Sequence, residues 1–409
     1  ALPEMVRLLA GDLGRRPSGR KAISSFQAFC VSTASRVGVG NIAGVAIAIV
    51  TGGPGAVFWM WVIAFIGTAT GFVESTLAQI YKIPRGHGLF HGGPAYYIQN
   101  ALGQPDIAKL FAVLISVTFG LIYVSVQANT IALSMEKAFG ADTYMMGGIL
   151  AVLSGTVIFG GIHRVASLSA FLVPIMAGIY LLIALIIIIL HMDAVPAMFA
   201  LILHDAFSPQ AAVGGGIGTA VLTGIRRGLF SNEAGSGSAP CAAAAADANH
   251  PVKMGLFQAA GVFIDTLVIC SCTAFLMLLA PQDKLANLSG MDLLQTAMQY
   301  HFGRFGVFFI ALVLWLFSFS TFLGILFYAH SNIAYLFGAN WGSQFGYKIF
   351  ALVMLFVGGL AQYSVVWDLG DVGIGLMTIF NLIVMYPLSK DAITELKDYE
   401  RGMKNRRRP

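Results

Sequence analysis

The sequence predicts an all-α membrane protein of about ten transmembrane helices, arranged as two inverted five-helix repeats in which helices 1 and 6 are broken. Hydrophobic residues make up 57% of the 409 residues and charged residues 11%, a composition typical of membrane proteins. Apolar segments of about 20 residues, long enough to cross a bilayer as helices, recur along nearly the whole chain. Glycine-rich polar stretches interrupt the first and the sixth of these segments.

The predicted spans follow one another through short connections. Gly-Gly-Pro-Gly at 52–55 and Gly-Gly at 160–161 mark two of these connections as turns. The spans are 24–49, 54–82, 106–136, 143–162, 164–191, 211–245, 251–280, 304–337, 345–362 and 365–388. Because each half holds an odd number of spans, the second half starts on the opposite side of the membrane from the first, which makes the repeat an inverted one.

The spans divide the chain into five parts. They are an N-terminal segment at 1–23, the first repeat at 24–191, an outer amphipathic connection at 192–210, the second repeat at 211–388 and a basic tail at 389–409. Within the connections, residues 195–206 and 290–302 have a helical pattern of their own. We expect both to form short amphipathic helices on the outer face, at equivalent places of the two halves.

The positions of Lys and Arg predict the orientation. With both termini in the cytoplasm, 18 of the 24 Lys and Arg lie inside, three lie outside and three lie within spans. The stretch Ala1–Lys21 has no apolar core, so no cleavable signal peptide is expected. The basic end Lys404–Arg408 is interpreted as a feature that orients the chain and contacts lipid, and no nucleic-acid partner is expected.

The first interruption is Ser35–Gly44, where three glycines, an arginine and an asparagine stand in an otherwise apolar run. In hydrocarbon an unpaired backbone group costs several kcal/mol, so the freed N–H and C=O groups must be buried in protein or must hold a ligand. Our hypothesis is that they hold a ligand.

The second interruption is Phe230–Gly237, and glycines at Gly214–Gly216, Gly218, Gly224 and Gly228 lead into it. Glycine-interrupted spans at matching positions of two halves indicate the midplane site of a transporter. Close helix packing by small residues is the alternative interpretation. Packing does not require Asn41, Asn232 and Glu233 beside the glycines, so we favour the site.

These motifs resemble the alanine/glycine:cation symporter family. The matching runs are Val37–Ala46, Gly92–Tyr97, Gly228–Gly235 with Ser238–Pro240, Gly261–Thr266, the Phe-Ser-Phe-Ser-Thr run that ends at Thr321, and Trp367–Leu369. The family is bacterial and archaeal, lies in the cytoplasmic membrane and resembles the leucine-transporter fold. The resemblance implies a secondary symporter, not an enzyme, that imports alanine or glycine with Na+ or in some cases H+. We expect a monomer without an organic cofactor.

Two departures from the family pattern affect the expected substrate. Val39 stands where threonine is usual, and Gly324-Ile325 stands where many members have Gly-Trp. The first departure removes a hydroxyl group beside the break, and the second reshapes any pocket wall at that place. The exact amino acid therefore stays open.

The resemblance also places the substrate. The half-helix that begins near Gly40 turns free N–H groups and its positive dipole end toward an anion, which suits a carboxylate. The predicted substrate-binding residues are Gly38, Val39, Gly40, Asn41, Gln127, Phe230 and Asn232. A helix cap is the alternative role for Asn41, an interhelical hydrogen bond for Gln127, and packing for Phe230.

The Na+ site is expected where the half-helix ending near Val37 turns free carbonyl groups toward a cation. In the fold that the chain resembles, helix 8 faces this half-helix. The predicted ligands are the carbonyl groups of Ala34, Val37 and Phe317 and the hydroxyl groups of Ser320 and Thr321. Hydrogen bonds from Ser320 and Thr321 back to their own helix are the alternative.

Six charged residues fall within predicted spans, where an isolated charge is expensive. They are Arg36, Glu74, Arg226, Arg227, Glu233 and Asp265. We expect them to face a cavity or each other, and two of the acids to pair with the arginines, either as gates or as static pairs. Asp368 and Asp371 are expected to be gate or surface groups.

Other function classes fit less well. An intramembrane hydrolase with Ser236 or Ser238 as nucleophile lacks an evident base, because the eight histidines are scattered along the chain. An ATP-driven pump would need a Gly-x-x-x-x-Gly-Lys motif, which the sequence does not contain. A passive channel is a third interpretation, distinguished from a carrier by the lack of saturation.

Overall fold

The computed structural model describes residues 2–12, 22–86, 89–207, 218–285, 288 and 290–406, and almost all of them are helical. The α-helices are α1 Leu2–Asp12, α2 Ser25–Arg36, α3 Val45–Gly52, α4 Ala56–Ile80, α5 Pro94–Leu102, α6 Pro105–Val117, α7 Val124–Phe139, α8 Thr143–Ile158, α9 Ile162–Leu190, α10 Val195–Ala206, α11 Gly218–Asn232, α12 Ala239–Ala245, α13 Pro251–Val262, α14 Ser271–Leu278, α15 Gln282–Leu285, α16 Gly290–Phe337, α17 Trp341–Gly359 and α18 Tyr363–Arg406. Three π-helical segments, Gly40–Gly44, Thr118–Tyr123 and Phe263–Cys270, and a hairpin of β1 Ile83–Gly86 with β2 Leu89–His91 complete the described elements.

Length and apolar composition identify the helices that can cross a membrane. In the described part of the chain six qualify: Ala56–Ile80, Pro105–Phe139, Ile162–Leu190, Pro251–Leu278, Gly290–Phe337 and Tyr363–Asn405. A seventh is the bent pair Ser25–Arg36 and Gly40–Gly52. The predicted spans 143–162 and 345–362 coincide with the shorter helix α8 and with α17. The total of ten stays a prediction.

Helix α16 contains a kink that separates two predicted elements. Phe302 and Gly303 have non-helical backbone angles, and Gly303 has a φ of 58°, which glycine adopts without strain. Residues 290–302 therefore form a short helix ahead of span 8, as the sequence predicts, and α10 matches the predicted segment 195–206. Their position on the outer face stays a prediction.

Both predicted breaks are present. The axis bends by 50° between Ser25–Arg36 and Gly40–Gly52. In helix 6, α11 ends at Asn232 and α12 starts at Ala239. The residues between them include Gly235 and Gly237 with φ of 81° and 82°. The expected glycine run Gly214–Gly216, by contrast, lies outside the described residues.

Three features differ from the sequence prediction. Helix α18 continues past the predicted end at 388 to Arg406, because the Lys- and Glu-rich residues that follow favour helix and contain no proline. The segment 1–23 contains α1, and the connection between the predicted spans 54–82 and 106–136 contains the β-hairpin and α5.

Helix α1 packs on the same face of the protein as the end of α18. The Tyr399 hydroxyl donates a hydrogen bond to Glu4 Oε1 over 2.7 Å. A cavity of about 560 Å³ lies beneath α1, bounded by the start of α13 and by α18. We call this face the terminal face and this space the terminal cavity.

Candidate functional site

The first break is held by side-chain amides. The Gly38 N–H donates to Asn41 Oδ1 over 3.0 Å, and the Val39 N–H donates to Gln127 Oε1 over 3.2 Å. A Cβ atom on Gly38 would clash with Thr321 Oγ1 and would lie only 3.1 Å from Gln127 Oε1, so this close approach requires glycine. Gly38, Val39 and Gln127 therefore meet at one buried point, as the sequence predicts.

Asn41 is tied into the surrounding scaffold. Its Nδ2 donates to Asp265 Oδ1 over 2.6 Å and to Ser231 Oγ over 3.0 Å. Ser231 and Thr266 also donate to Asp265, over 2.7 and 3.0 Å. Both polar atoms of the Asn41 amide thus serve the protein itself, which favours the bracing role over a direct ligand contact.

Asn232 has a similar bracing position at the second break. Its Oδ1 accepts the Ala234 N–H over 3.0 Å, and its Nδ2 donates to Thr266 Oγ1 over 3.1 Å. Among the predicted substrate-binding residues, Asn41 and Asn232 therefore already have intramolecular partners for both the oxygen and the nitrogen of the side-chain amide.

An aromatic stack covers the first break. The Phe230 ring stacks between Tyr123 and Trp367, with centroid distances of 4.6 and 4.8 Å. A Cβ on Gly40 would lie 3.1 Å from the Phe230 ring, so the stack rests directly on the break. The stack closes one side of the site.

An ion pair lies on the outside of this stack. Arg227 pairs with Asp371, and its guanidinium lies 5.4 Å from the Phe230 centroid and 5.1 Å from that of Trp367. Asp371 is thus a largely buried partner of Arg227 rather than a free surface group, and a gate role for it stays a prediction. Together the pair and the rings form a closed cover, which we call the gate cover: Tyr123, Arg227, Phe230, Trp367 and Asp371.

The predicted ion ligands come together in part. Thr321 Oγ1 lies 2.9 Å from the Ala34 carbonyl oxygen and 3.3 Å from that of Val37, which joins span 8 to the end of α2. The Ser320 hydroxyl instead donates to the Phe317 carbonyl of its own helix over 2.8 Å. Three of the five predicted ligands, Ala34, Val37 and Thr321, therefore lie together. Ser320 forms the alternative contact, a hydrogen bond to the Phe317 carbonyl of its own helix.

The oxygen atoms at this point are all uncharged. Carbonyl and hydroxyl oxygens are hard ligands that suit an alkali cation and give no reason for a transition metal. Among the residues that the structure describes, no group of three His, Cys, Asp or Glu side chains is placed to hold a metal ion.

The second break is held by carboxylates. Glu74 of α4 accepts the Gly235 N–H over 3.1 Å and the Gly237 N–H over 3.0 Å. Asn381 of α18 donates to Glu74 Oε2 and to the Gly235 carbonyl, each over 2.9 Å. The free N–H groups ahead of α12 therefore already have an acceptor within the protein.

Glu233 joins the two breaks. Its carboxylate accepts hydrogen bonds from Ser35 over 3.0 Å and from Ser238 over 2.7 Å. Its φ of 54° makes it the one non-glycine residue with positive φ in the described ranges. The left-handed backbone conformation costs free energy in a non-glycine residue. The hydrogen bonds from Ser35 and Ser238 hold Glu233 in this conformation.

The expected pairing of two of these acids with the arginines is wrong within the described residues. Within the described ranges, Glu74, Glu233 and Asp265 form no ion pair with Arg36, and the pair that does form is Arg227 with Asp371. The reason is local: backbone N–H groups, hydroxyls and amides satisfy the three buried carboxylates.

Sequence reasoning missed the roles of Glu74, Tyr123, Asp265 and Asn381. The sequence marks Glu74 and Asp265 as unusual, because each is a carboxylate inside a predicted span. Only the fold shows which hydrogen-bond donors these carboxylates meet. Tyr123 stands in the same run as Gln127, and nothing in that run distinguishes a stacking ring from a packed one.

Two broken helices that meet at mid-span, with backbone groups turned into one buried point, define a secondary transporter. The model of the sodium:alanine symporter family matches residues 1–409. The chain belongs to that family. It is a membrane transport protein and not an enzyme, which confirms the sequence prediction.

The chain is similar to three named bacterial relatives. It is 47% identical to the probable sodium/glutamine symporter GlnT of Bacillus subtilis, over 98% of this chain and 84% of that protein. It is 46% identical to the amino-acid carrier protein AlsT of the same organism, with the same coverage of 98% and 84%. It is 36% identical to the sodium/proton-dependent alanine carrier protein of Bacillus sp. strain PS3, over 99% and 93%.

Two solved structures share the fold. A Na+-coupled sialic acid symporter in a substrate-bound outward-open state superposes with a TM-score of 0.60 at 16% identity, covering 94% of this chain and 85% of that one. The Eremococcus coleocola manganese transporter gives a TM-score of 0.59 at 12% identity, over 88% and 78%. The predicted fold class, a helical transporter with two broken helices, is confirmed.

Proposed function

We propose that the protein is a secondary active symporter that imports a small neutral amino acid, alanine or glycine, together with Na+ by alternating access. One observation carries the proposal. At the first break the Val39 N–H beside Gln127 and the Ala34 and Val37 carbonyls beside Thr321 lie on the two ends of one interrupted helix. An amino acid and a cation need these two opposite polarities at neighbouring positions.

The substrate carboxylate takes the N–H end of the break. The N–H groups of Val39 and Gly40 are the donors, and Gln127 pairs with the amino acid through its amide. The second break is a poor choice for a carboxylate, since Glu74 already accepts the Gly235 and Gly237 N–H groups. Phe230 rests on Gly40, which limits the room beside the break and therefore favours a small side chain, as in alanine or glycine.

Na+ takes the carbonyl end. Ala34, Val37 and Thr321 supply three oxygens in contact, and rotation of the Ser320 hydroxyl away from Phe317 adds two more. H+ coupling is the alternative for the ion. It would use a buried carboxylate such as Glu233, and one relative is named as a sodium/proton-dependent alanine carrier.

The gate cover supports alternating access. It seals the break on the side where α3 and α11 lie, and the count of Lys and Arg places that side outside the cell. Both termini then lie in the cytoplasm of a prokaryote whose inner membrane holds the protein, and lipids cover its apolar faces. We propose a monomer as the transporting unit, since each chain contains one complete pair of breaks.

Glutamine is the second candidate substrate. The relative with 47% identity is named a probable sodium/glutamine symporter. Ile325, which stands where many members of the family have tryptophan, supports a roomier pocket. A glutamine carrier would keep the same carboxylate and Na+ positions and would differ only where the side chain lies.

Uptake into proteoliposomes tests these proposals. We expect labelled alanine or glycine to accumulate under an inward Na+ gradient and not in K+ buffer with an inward H+ gradient. Uptake driven equally by the H+ gradient contradicts Na+ coupling. Competition by unlabelled alanine, glycine and glutamine ranks the substrates, and glutamine as the strongest competitor selects the second candidate.

A further inference from the structure

A buried polar cluster lies between α2 and α13, beyond the first break. It consists of Thr33 and Arg36 of α2 and Gln258 of α13, which are 4%, 2% and 0% exposed. Gly261 of α13 makes room for it, since a Cβ there would lie 2.7 Å from Arg36 Nη1 and 3.8 Å from Thr33 Oγ1. We call these three side chains the exit cluster.

Most polar atoms of the exit cluster have no partner. Arg36 Nη1 donates to the Gln258 carbonyl over 3.3 Å. Arg36 Nε and Nη2, both amide atoms of Gln258 and Thr33 Oγ1 have no hydrogen-bond partner among the described residues. A buried polar group without a partner costs about 1 to 3 kcal/mol, and a charged one costs more. Within a membrane such groups face a ligand or a cavity that fills with water.

The unpartnered atoms have a definite chemistry. The guanidinium offers two N–H donors side by side, the arrangement that binds a carboxylate with two parallel hydrogen bonds. The Thr33 hydroxyl and the Gln258 amide add donors, and Gln258 Oε1 adds one acceptor of the kind an ammonium group needs. The cluster thus offers partners to both ends of an α-amino acid.

Below the cluster, an aromatic pair separates it from the terminal cavity. Phe29 lies one turn before Thr33 on α2, and its ring centroid is 5.8 Å from that of Phe257. Phe257 also lines the terminal cavity, together with Ser25 and Lys253. The facing surfaces of α2 and α13 therefore run from the first break, through the cluster and past one ring pair, to open space at the terminal face.

We propose that Thr33, Arg36 and Gln258 form an exit subsite that binds the carboxylate of the amino acid as it leaves toward the terminal face, with Phe29 and Phe257 as the constriction. The inference rests on the proposed amino-acid substrate. Arg36 directly precedes Val37, whose carbonyl group belongs to the proposed ion site, so the subsite adjoins the central one. A small inorganic anion such as chloride carries the same charge as a carboxylate. Protection experiments with both kinds of anion show which of the two the subsite binds.

Cysteine labelling tests the route. Thr33→Cys is made in a full-length background in which Cys30, Cys241, Cys270 and Cys272 are serine or alanine, and is treated with a small membrane-impermeant methanethiosulfonate. The matched control is Ser154→Cys on α8, whose hydroxyl is equally buried and unpartnered but lies away from α2. We expect the cysteine at 33 to react at least about tenfold faster than that at 154, a difference of about 1.4 kcal/mol. Equal rates overturn the route.

Protection by anions tests the subsite. We expect acetate to slow labelling at position 33 by about tenfold, whereas chloride at equal ionic strength and alanine methyl ester, which lacks a carboxylate, have little effect. Protection by chloride as strong as that by acetate overturns the carboxylate assignment in favour of a halide. No protection by either anion overturns the subsite.

Arg36 variants show whether the guanidinium is the anion partner. In Arg36→Gln we expect acetate protection to disappear, and in Arg36→Lys, which keeps the charge but not the paired donors, to weaken. Should Arg36→Gln not fold, Arg36→Lys alone decides, and unchanged protection in it overturns the assignment. Alanine uptake by the cysteine-replaced parent is measured in parallel. Loss of Na+-driven uptake with intact acetate protection counts against the proposed function, whereas normal uptake without labelling at position 33 counts against this inference.

Discussion

The two helix breaks of this protein differ in the acceptors of their free N–H groups. At the first break, neutral amides from Asn41 and Gln127 accept the free N–H groups. At the second break, the carboxylate of Glu74 accepts them. A carboxyl group that accepts two backbone N–H groups makes the second break a fixed brace, whereas the single amide acceptor at the Val39 N–H can give way to an incoming carboxylate.

The same contrast extends to the carbonyl ends. At the first break Thr321 contacts two carbonyl oxygens from another helix, and all the oxygens there are neutral. At the second break Asn381, itself fixed by Tyr97 and Glu74, holds the Gly235 carbonyl. The chain thus contains two interruptions with different surroundings, and on this difference we base the proposal that the first one binds ligands.

Removing the anion at the second break has the largest expected effect on stability. In Glu74→Leu two buried N–H groups lose their acceptor, at about 1 to 3 kcal/mol each, so we expect a much lower melting temperature in detergent. Glu74→Gln keeps one acceptor oxygen, so we expect its melting temperature to lie between that of the wild type and that of Glu74→Leu. Glu136→Leu, on an exposed position of α7, is the matched control. A melting temperature of Glu74→Leu equal to that of the control would remove the distinction between the breaks.

Removing the amide at the first break should act on binding instead. In Gln127→Leu the Val39 N–H loses its partner, and the substrate loses one amide contact. We expect alanine affinity to fall by about tenfold, roughly 1.4 kcal/mol, while the melting temperature of the ligand-free protein falls less than in Glu74→Leu. Isothermal calorimetry and thermal denaturation give the two values. A larger fall in melting temperature for Gln127→Leu than for Glu74→Leu would contradict the distinction between a ligand-binding first break and a bracing second break.

Weakening the gate cover should have the smallest effect of the three. Asp371→Asn keeps the shape but removes the charge that faces Arg227. Asparagine keeps an acceptor for the Arg227 guanidinium but removes the counter-charge from a mostly buried pair, so we expect alanine to dissociate a few times faster with a modest loss of stability. Stopped-flow dissociation measures this, with the neighbouring Asp368→Asn as control. Dissociation at the wild-type rate argues that the cover does not retain the substrate.

The two breaks could be predicted from the sequence because glycines and polar residues inside an apolar span disfavour an uninterrupted membrane helix. The contact of Thr321 with Ala34 and Val37 was also predicted, although this rested on the family resemblance. The bond from Ser320 back to Phe317 could not be predicted, since a hydroxyl rotor has two acceptors of similar energy.

Contacts between residues that are far apart in the sequence could not be predicted either. Glu74 and Gly235 are 161 positions apart, and one sequence contains no signal that pairs them. The expectation that buried acids pair with buried arginines follows from charge alone, and it failed because backbone N–H groups and hydroxyls compete for the same carboxylates. Arg36 is left with a single carbonyl partner, which charge counting also could not show.

The most direct test of the central claim, that the first break binds the amino acid and Na+ together, is alanine affinity in Na+ and in K+ for the wild type, Thr321→Val and Ser320→Ala. We expect Na+ to tighten alanine binding in the wild type and to have no effect in Thr321→Val, which keeps the shape of the side chain but loses the hydroxyl that bridges α2 and α16. Ser320→Ala, whose hydroxyl already bonds within its own helix, should keep most of the Na+ effect. A full Na+ effect in a correctly folded Thr321→Val protein contradicts the account.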